Sequence, residues 1–207
     1  MEQSGGAANM ATQICHQISS VFSPPSPSPH GSPLDVLVEE IAAAGGGGNR
    51  VFVHGVGREG LMLRALCMRL YHLGLSAHVV AICAVARAAG GRVVLLTAHP
   101  DSGSEARRNA HRIAFLPAQT MADPEEDAVA ATVRLPMGSL YEGAMFVLFE
   151  MAVIRLAELL SRPPRHARPP HQPRVAAPRR SEKPSFSLFF FSLNLPPPPR
   201  FFQTHNG

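Results

Sequence analysis

Residues 50–60, Arg-Val-Phe-Val-His-Gly-Val-Gly-Arg-Glu-Gly, have the types and spacing that hold an anion. A short β-branched and aromatic run ends in Gly55-x-Gly57-x-x-Gly60, and a helical pattern begins at once. Glycines let the backbone approach a phosphate, and the free N–H groups and dipole of a helix N-terminus favour negative charge. The spacing alone does not separate a phosphate turn from a plain glycine-rich connection or a dinucleotide-binding turn. A dinucleotide site needs an acidic residue near the end of the second strand for the ribose hydroxyls. No Asp or Glu lies between Glu59 and Asp101, which disfavours that reading.

Other polar residues point to less specific chemistry. His54 closes the first strand, where a hydrogen-bonded structural histidine competes with a ligand contact. Asp101, Ser102 and Ser104 follow Pro100 and read as turn and helix-cap residues. His72 and His78 are expected to face solvent. The three cysteines, Cys15, Cys67 and Cys83, are far apart in apolar segments and show no metal spacing, so buried reduced thiols are expected. No Ser/His/Asp set stands out, and neither a metal nor a cofactor is expected.

The elements that must position the turn follow the periods of 2 and 3.6. Val51–His54 reads as a first strand, and 58–73 as an amphipathic helix with Leu63, Leu66, Cys67 and Leu70 inward. A second strand is expected at Leu75–Val80, a helix at Ala81–Ala89 and a third strand at Arg92–Thr97. A short helix follows at Ser104–Ala110 and a fourth strand at Arg112–Leu116. This alternation is that of a parallel α/β sheet. Upstream, helices are expected over 11–22, with Ile14, Ile18 and Val21 on one face, and from Leu34 to Ala44. A long helix from about Ser139 to Leu160 is apolar nearly all round, Phe146 and Ile154 included, and is expected to be buried in a core or a subunit interface.

Both ends differ from the middle. Sixteen of the 20 prolines lie at 24–33 or 163–199. The expected organisation is therefore a disordered segment at 1–10, a domain over 11–160 with a Pro/Ser linker at 23–33, and a disordered tail at 161–207. Seven Arg and one Lys against one Glu lie beyond position 161, so the net charge of +4 belongs to the tail. A basic nucleic-acid face on the folded part is not expected. The N-terminus shows no secretory signal and no apolar run reaches the about 18 residues of a membrane span. A cytoplasmic protein without a membrane partner is expected.

Val51-Phe-Val-His-Gly-Val-Gly-Arg-Glu-Gly, Leu73-Gly-Leu-Ser-Ala-His-Val-Val, Arg92-Val-Val-Leu-Leu-Thr-Ala, Leu116-Pro-Ala-Gln-Thr and Leu135-Pro-Met-Gly-Ser-Leu-Tyr-Glu-Gly-Ala together resemble a sugar isomerase (SIS) domain, in the 3-hexulose-6-phosphate isomerase branch with its plant relatives. The resemblance covers roughly residues 11–160. It implies a three-layer α/β/α, flavodoxin-like fold with a five-stranded parallel sheet, a phosphorylated sugar as ligand, and self-association through apolar helices. It implies ketose-phosphate isomerisation through an enediol, which needs a base and oxyanion-stabilising donors. Glu142, in Met137-Gly-Ser-Leu-Tyr-Glu at the head of the long helix, matches the family's glutamate and is the candidate base. Gly55, Gly57, Arg58, Gly60, Ser139 and Thr120 form the candidate set for the sugar phosphate.

Departures from the pattern matter as much. Related sequences usually have Ser where this chain has Glu59, and a carboxylate facing a phosphate is unfavourable. A second phosphate loop, rich in Ser, Thr and Gly, should follow a strand beside the first, but Val80 runs straight into Ala81. The family's C-terminal Arg-His-x-Asn-Leu-Glu-like segment is also missing. The resemblance therefore implies one central strand lost, a gap of roughly 4.8 Å of hydrogen-bonded spacing on either side, and weak or absent isomerase activity. The rival reading is a non-catalytic SIS binding or dimerisation module.

Overall fold

The structure, a computed structural model, describes residues 3–23, 27–79, 90–120, 123, 135, 139–160 and 186–191. In chain order the elements are α1 (Gln3–Ser20), α2 (Pro33–Gly46), β1 (Arg50–His54), α3 (Gly57–His72), β2 (Ser76–Val79), β3 (Arg92–Thr97), α4 (Glu105–Asn109), β4 (Arg112–Phe115), α5 (Ser139–Leu159) and β5 (Phe186–Phe191). The five strands form one sheet in the order β2-β1-β5-β3-β4, every neighbouring pair parallel.

The chemistry of the helix ends explains where the helices begin. Ser32 caps α2 by accepting from the Asp35 N–H, with Pro33 in the first turn. Ser104 caps α4 in the same way through the Arg107 N–H. Gly74, with φ of 82°, turns the chain out of α3 toward β2, a conformation that favours glycine.

The helices α2, α3 and α5 cover one face of the sheet: α2 lies against β1, β3, β4 and β5, α3 against β1 and β2, and α5 against both α2 and α3. Leu37 and Ile41 of α2, Leu63, Leu66 and Leu70 of α3, Met145, Leu148 and Leu156 of α5, and Val51, Val53, Val94 and Leu96 of the sheet make that core. Right-handed crossovers put α4 on the opposite face, because β3 to β4 runs the other way along the sheet from β1 to β2. Every residue of β3 from Val93 to Thr97 is buried, as a central parallel strand covered on both faces requires. At the N-terminal edge, Arg92 binds both oxygens of the buried Glu40 at 2.7 and 2.6 Å, and Arg112 binds Glu39 at 2.6 Å. These pairs tie α2 to the start of β3 and β4, away from the ligand-binding end of a parallel sheet, and the Arg92 hydrogen bonds hold the Glu40 carboxyl below its ordinary range.

Four expectations are corrected. The central gap is occupied: β5 lies between β1 and β3, with Val53 opposite Phe189 on one side and Val94 opposite Phe189 on the other. The tail expected to be without structure therefore contributes this strand. Phe186-Ser-Leu-Phe-Phe-Phe has no alternation, and a strand between two parallel neighbours need not show one. Helix α1 begins at Gln3, inside the segment expected to be disordered, because Ala7, Ala8, Met10 and Ala11 are strong helix formers that continue a helix anchored at Ile18. Cys15 is exposed rather than buried. The helix expected at Ala81–Ala89, with Cys83, lies outside the described residues. No described helix is long and apolar enough to cross a membrane.

Candidate functional site

The glycine turn stands at the C-terminal end of β1, where an open parallel sheet binds its ligands. Helix α3 starts at Gly57, whose φ of 62° lies in the left-handed region. Gly55 and Gly60 are pressed together: a Cβ on Gly60 would stand 2.6 Å from the Gly55 carbonyl oxygen, and one on Gly55 would stand 2.6 Å from Leu63 Cδ1. These two glycines are thus required for the turn to close onto its own helix. The backbone of Val56 and Gly57 lies exposed at the helix head, and the Val56 N-cap makes no side-chain cap hydrogen bond. The Gly60 N–H closes the first turn onto the Val56 carbonyl at 3.4 Å.

Helix α5 brings a second helix head to the same place. Arg58 Nη2 reaches Glu142 Oε1 at 3.1 Å, and the Glu142 side chain is only 16% exposed. The other carboxylate oxygen, Glu142 Oε2, is buried without a hydrogen-bond partner. Burial raises the Glu142 carboxyl above the usual range, and the Arg58 guanidinium draws it back down. Ser139 lies at the start of α5, one turn before Glu142.

Glu59 does not face outward from the turn. It is 6% exposed, and its Oε2 also has no hydrogen-bond partner. Burial first, and the Glu142 charge second, push its carboxyl up to about 7, against the opposing pull of Arg58. Tyr141 beside them is buried, and its hydroxyl is raised well above its ordinary value by burial and by both carboxylates. Two carboxyls with unequal surroundings therefore sit at the heads of two helices, beside the glycine turn.

Of the candidate residues, Gly55, Gly57, Arg58, Gly60, Ser139 and Glu142 come together at these two helix heads, while Thr120 belongs to a second polar cluster. Its N–H and hydroxyl donate to Asp123 Oδ2 at 2.6 and 2.9 Å. His99 Nε2 lies 3.2 Å from Thr120 Oγ1 and 3.2 Å from Asp123 Oδ1. The cluster joins the loops after β3 and β4 at the same edge of the sheet. Its legible part is Thr120-Met-Ala-Asp123, the spacing of a reciprocal helix cap; the link to His99 is tertiary and left no signal in the sequence. Among the described residues no group of three or more His, Cys, Asp or Glu could hold a metal ion.

A parallel sheet with a glycine turn after its first strand, closed over by the acidic head of its last long helix, defines an α/β protein of the flavodoxin-like class. No protein-family model matches the chain. It is 32% identical over 142 residues to a 3-hexulose-6-phosphate isomerase of Mycobacterium gastri, a comparison covering 56% of this chain and 66% of the relative. It is 26% identical over 151 residues to a 3-hexulose-6-phosphate isomerase of Bacillus subtilis (strain 168), covering 60% of this chain and 77% of the relative. A crystal structure of a hypothetical protein from Methanococcus jannaschii, from which a 3-hexulose-6-phosphate isomerase function was inferred, shares the fold with a TM-score of 0.50 at 18% identity, over 74% of this chain and 90% of that one. The chain is similar in sequence to these isomerases and shares the fold of that solved structure. It spans just under two thirds of the length of the first of these relatives.

Proposed function

We propose that the chain binds a phosphorylated sugar at the Gly55–Gly60 turn and that Glu142 carries the proton in a ketose-phosphate isomerisation through an enediol. The observation that carries this reading is the meeting of Arg58 and Glu142 at 3.1 Å beside the glycine turn. The relatives named 3-hexulose-6-phosphate isomerase suggest the substrate class.

The chemistry asks three things of the site. The phosphate is held by backbone N–H groups at the head of α3. The Glu142 carboxylate takes a proton from the carbon beside the carbonyl and returns it to the neighbouring carbon. The Arg58 guanidinium and the Ser139 hydroxyl are the donors assigned to the oxygen on which negative charge develops. No cofactor is needed for this sequence. Turnover is expected to be slower than in full-length relatives, because the second Ser/Thr/Gly phosphate loop has no counterpart after Val80.

The protein is proposed to act in the cytoplasm as an oligomer. Leu61, Met68 and Tyr71 of α3 are exposed, as are Phe146 and Ile154 of α5. This surface also favours the second reading, a non-catalytic module that binds sugar phosphate and associates. Turnover of a hexulose 6-phosphate by the full chain tests the choice. Glu142→Gln should lower it by about 10²- to 10⁴-fold. Equal turnover by Glu142→Gln would remove Glu142 from the reaction. A stable oligomer that binds without turnover would favour the module.

A further inference from the structure

Glu59 is a carboxyl placed where the chemistry of anion binding least tolerates one. It sits in the first turn of α3, inside the glycine turn itself. We propose that Glu59 couples the two: the site takes up one proton, held on the Glu59 carboxyl, when it accepts a divalent anion such as a phosphate monoester or sulfate. This rests on the reading of the turn as a phosphate site and adds to it the protonation state in which the ligand is taken.

The argument starts from the surroundings of the side chain. Glu59 is 6% exposed and its Oε2 has no hydrogen-bond partner, so an ionised carboxylate there is neither hydrated nor fully satisfied. The cation on its own helix, Arg58, is engaged by Glu142 Oε1. From α5 it faces Glu142, a second negative charge, and Tyr141, which is buried. From the strands packed against α3, the titratable and charged groups are Arg50 and His54 at the two ends of β1 and His78 on β2. With these neighbours the carboxyl already titrates at about 7 in the ligand-free protein.

A divalent anion at the head of α3 adds two further negative charges beside Glu59. Only the neutral acid avoids that repulsion, so the anion and the proton bind together. The proton comes from solvent and returns to it on release.

The test uses the full chain and sodium sulfate, whose charge is constant between pH 5 and 9, with calorimetric titration of the wild type and Glu59→Gln. Above pH 7 the wild-type affinity should fall by about tenfold per pH unit, and close to one proton should be taken up per sulfate at pH 8, read from two buffers of different ionisation enthalpy. Glu59→Gln should hold its affinity at pH 8 and show no uptake beyond that of the shared histidines. If Glu59→Gln does not fold, Glu59→Ser replaces it. A variant with the wild-type pH profile would overturn the proposal and leave the phosphate reading standing. A folded wild type that binds neither sulfate nor any sugar phosphate between pH 5.5 and 8.5 would overturn both.

Discussion

Arg58 and Glu142 are contributed by the first turns of two different helices and meet at 3.1 Å, so a cation and a carboxyl face each other where the two helix heads converge. Burial raises the Glu142 carboxyl and Arg58 lowers it. Glu142 acts as a base only when ionised. Replacing Arg58 by Met removes the lowering influence, so the acid limb of the kcat/KM profile should move to higher pH. The pH–rate profiles of the wild type and Arg58→Met check this. An unmoved limb would mean that the ion pair does not set the base.

The turn depends on the absence of side chains at Gly55 and Gly60. A Cβ on Gly60 meets backbone 2.6 Å away, which cannot swing aside as a side chain could. Gly60→Ala should destabilise the domain by about 1–3 kcal/mol, the usual cost of overpacking, and weaken anion binding. Urea unfolding gives the first and calorimetry the second.

Glu59 should leave a mark on stability as well as on binding. Burial pushes its folded-state carboxyl up to about 7, from an ordinary value of 4.5. Between those values the folded chain keeps a proton that the unfolded chain has lost, so stability falls as the pH rises through this window and is level above it. The effect amounts to about 3 kcal/mol at most. Glu59→Gln should remove the slope, and the difference between the two proteins should grow from pH 4.5 to 7. The Glu40–Arg92 pair, whose contribution is lost as pH falls through the lowered Glu40 value, is common to both and cancels.

The strand β5 gives the fold its centre. Leu188 stands opposite Phe52 on one side and Val93 on the other, so its backbone belongs to two ladders. Leu188→Pro removes an N–H and fixes φ in a central strand, which should cost at least about 3 kcal/mol. Circular dichroism and urea unfolding check it; an unchanged midpoint would mean that the sheet does not need this segment.

The helices α2 and α3 were legible because each buries one apolar face, and the strands β1 to β4 because each is a short run of strand character set between helical patterns. Val51 and Val53, or Leu63, Leu66 and Leu70, state their period openly. The central strand was hidden by its own sequence: Phe186–Phe191 shows no apolar/polar alternation and has prolines on either side. At the site, the glycine spacing located the turn, and the resemblance to the family's glutamate pointed to Glu142. Neither predicted that Glu59 turns inward, since that depends on how α5 packs over α3. His99 and Asp123 were missed for the same reason, being joined across two loops.

The central claim is that the Gly55–Gly60 turn recognises the phosphate of a sugar ester. The melting temperature of the full chain, measured at pH 6.5 with a hexose 6-phosphate and with the parent hexose, tests it most directly. A ligand at 100 times its Kd stabilises the folded state by about 2.7 kcal/mol, so the account predicts a concentration-dependent rise with the phosphorylated sugar and none with the parent. An equal rise with both sugars, or no rise with either, would contradict it.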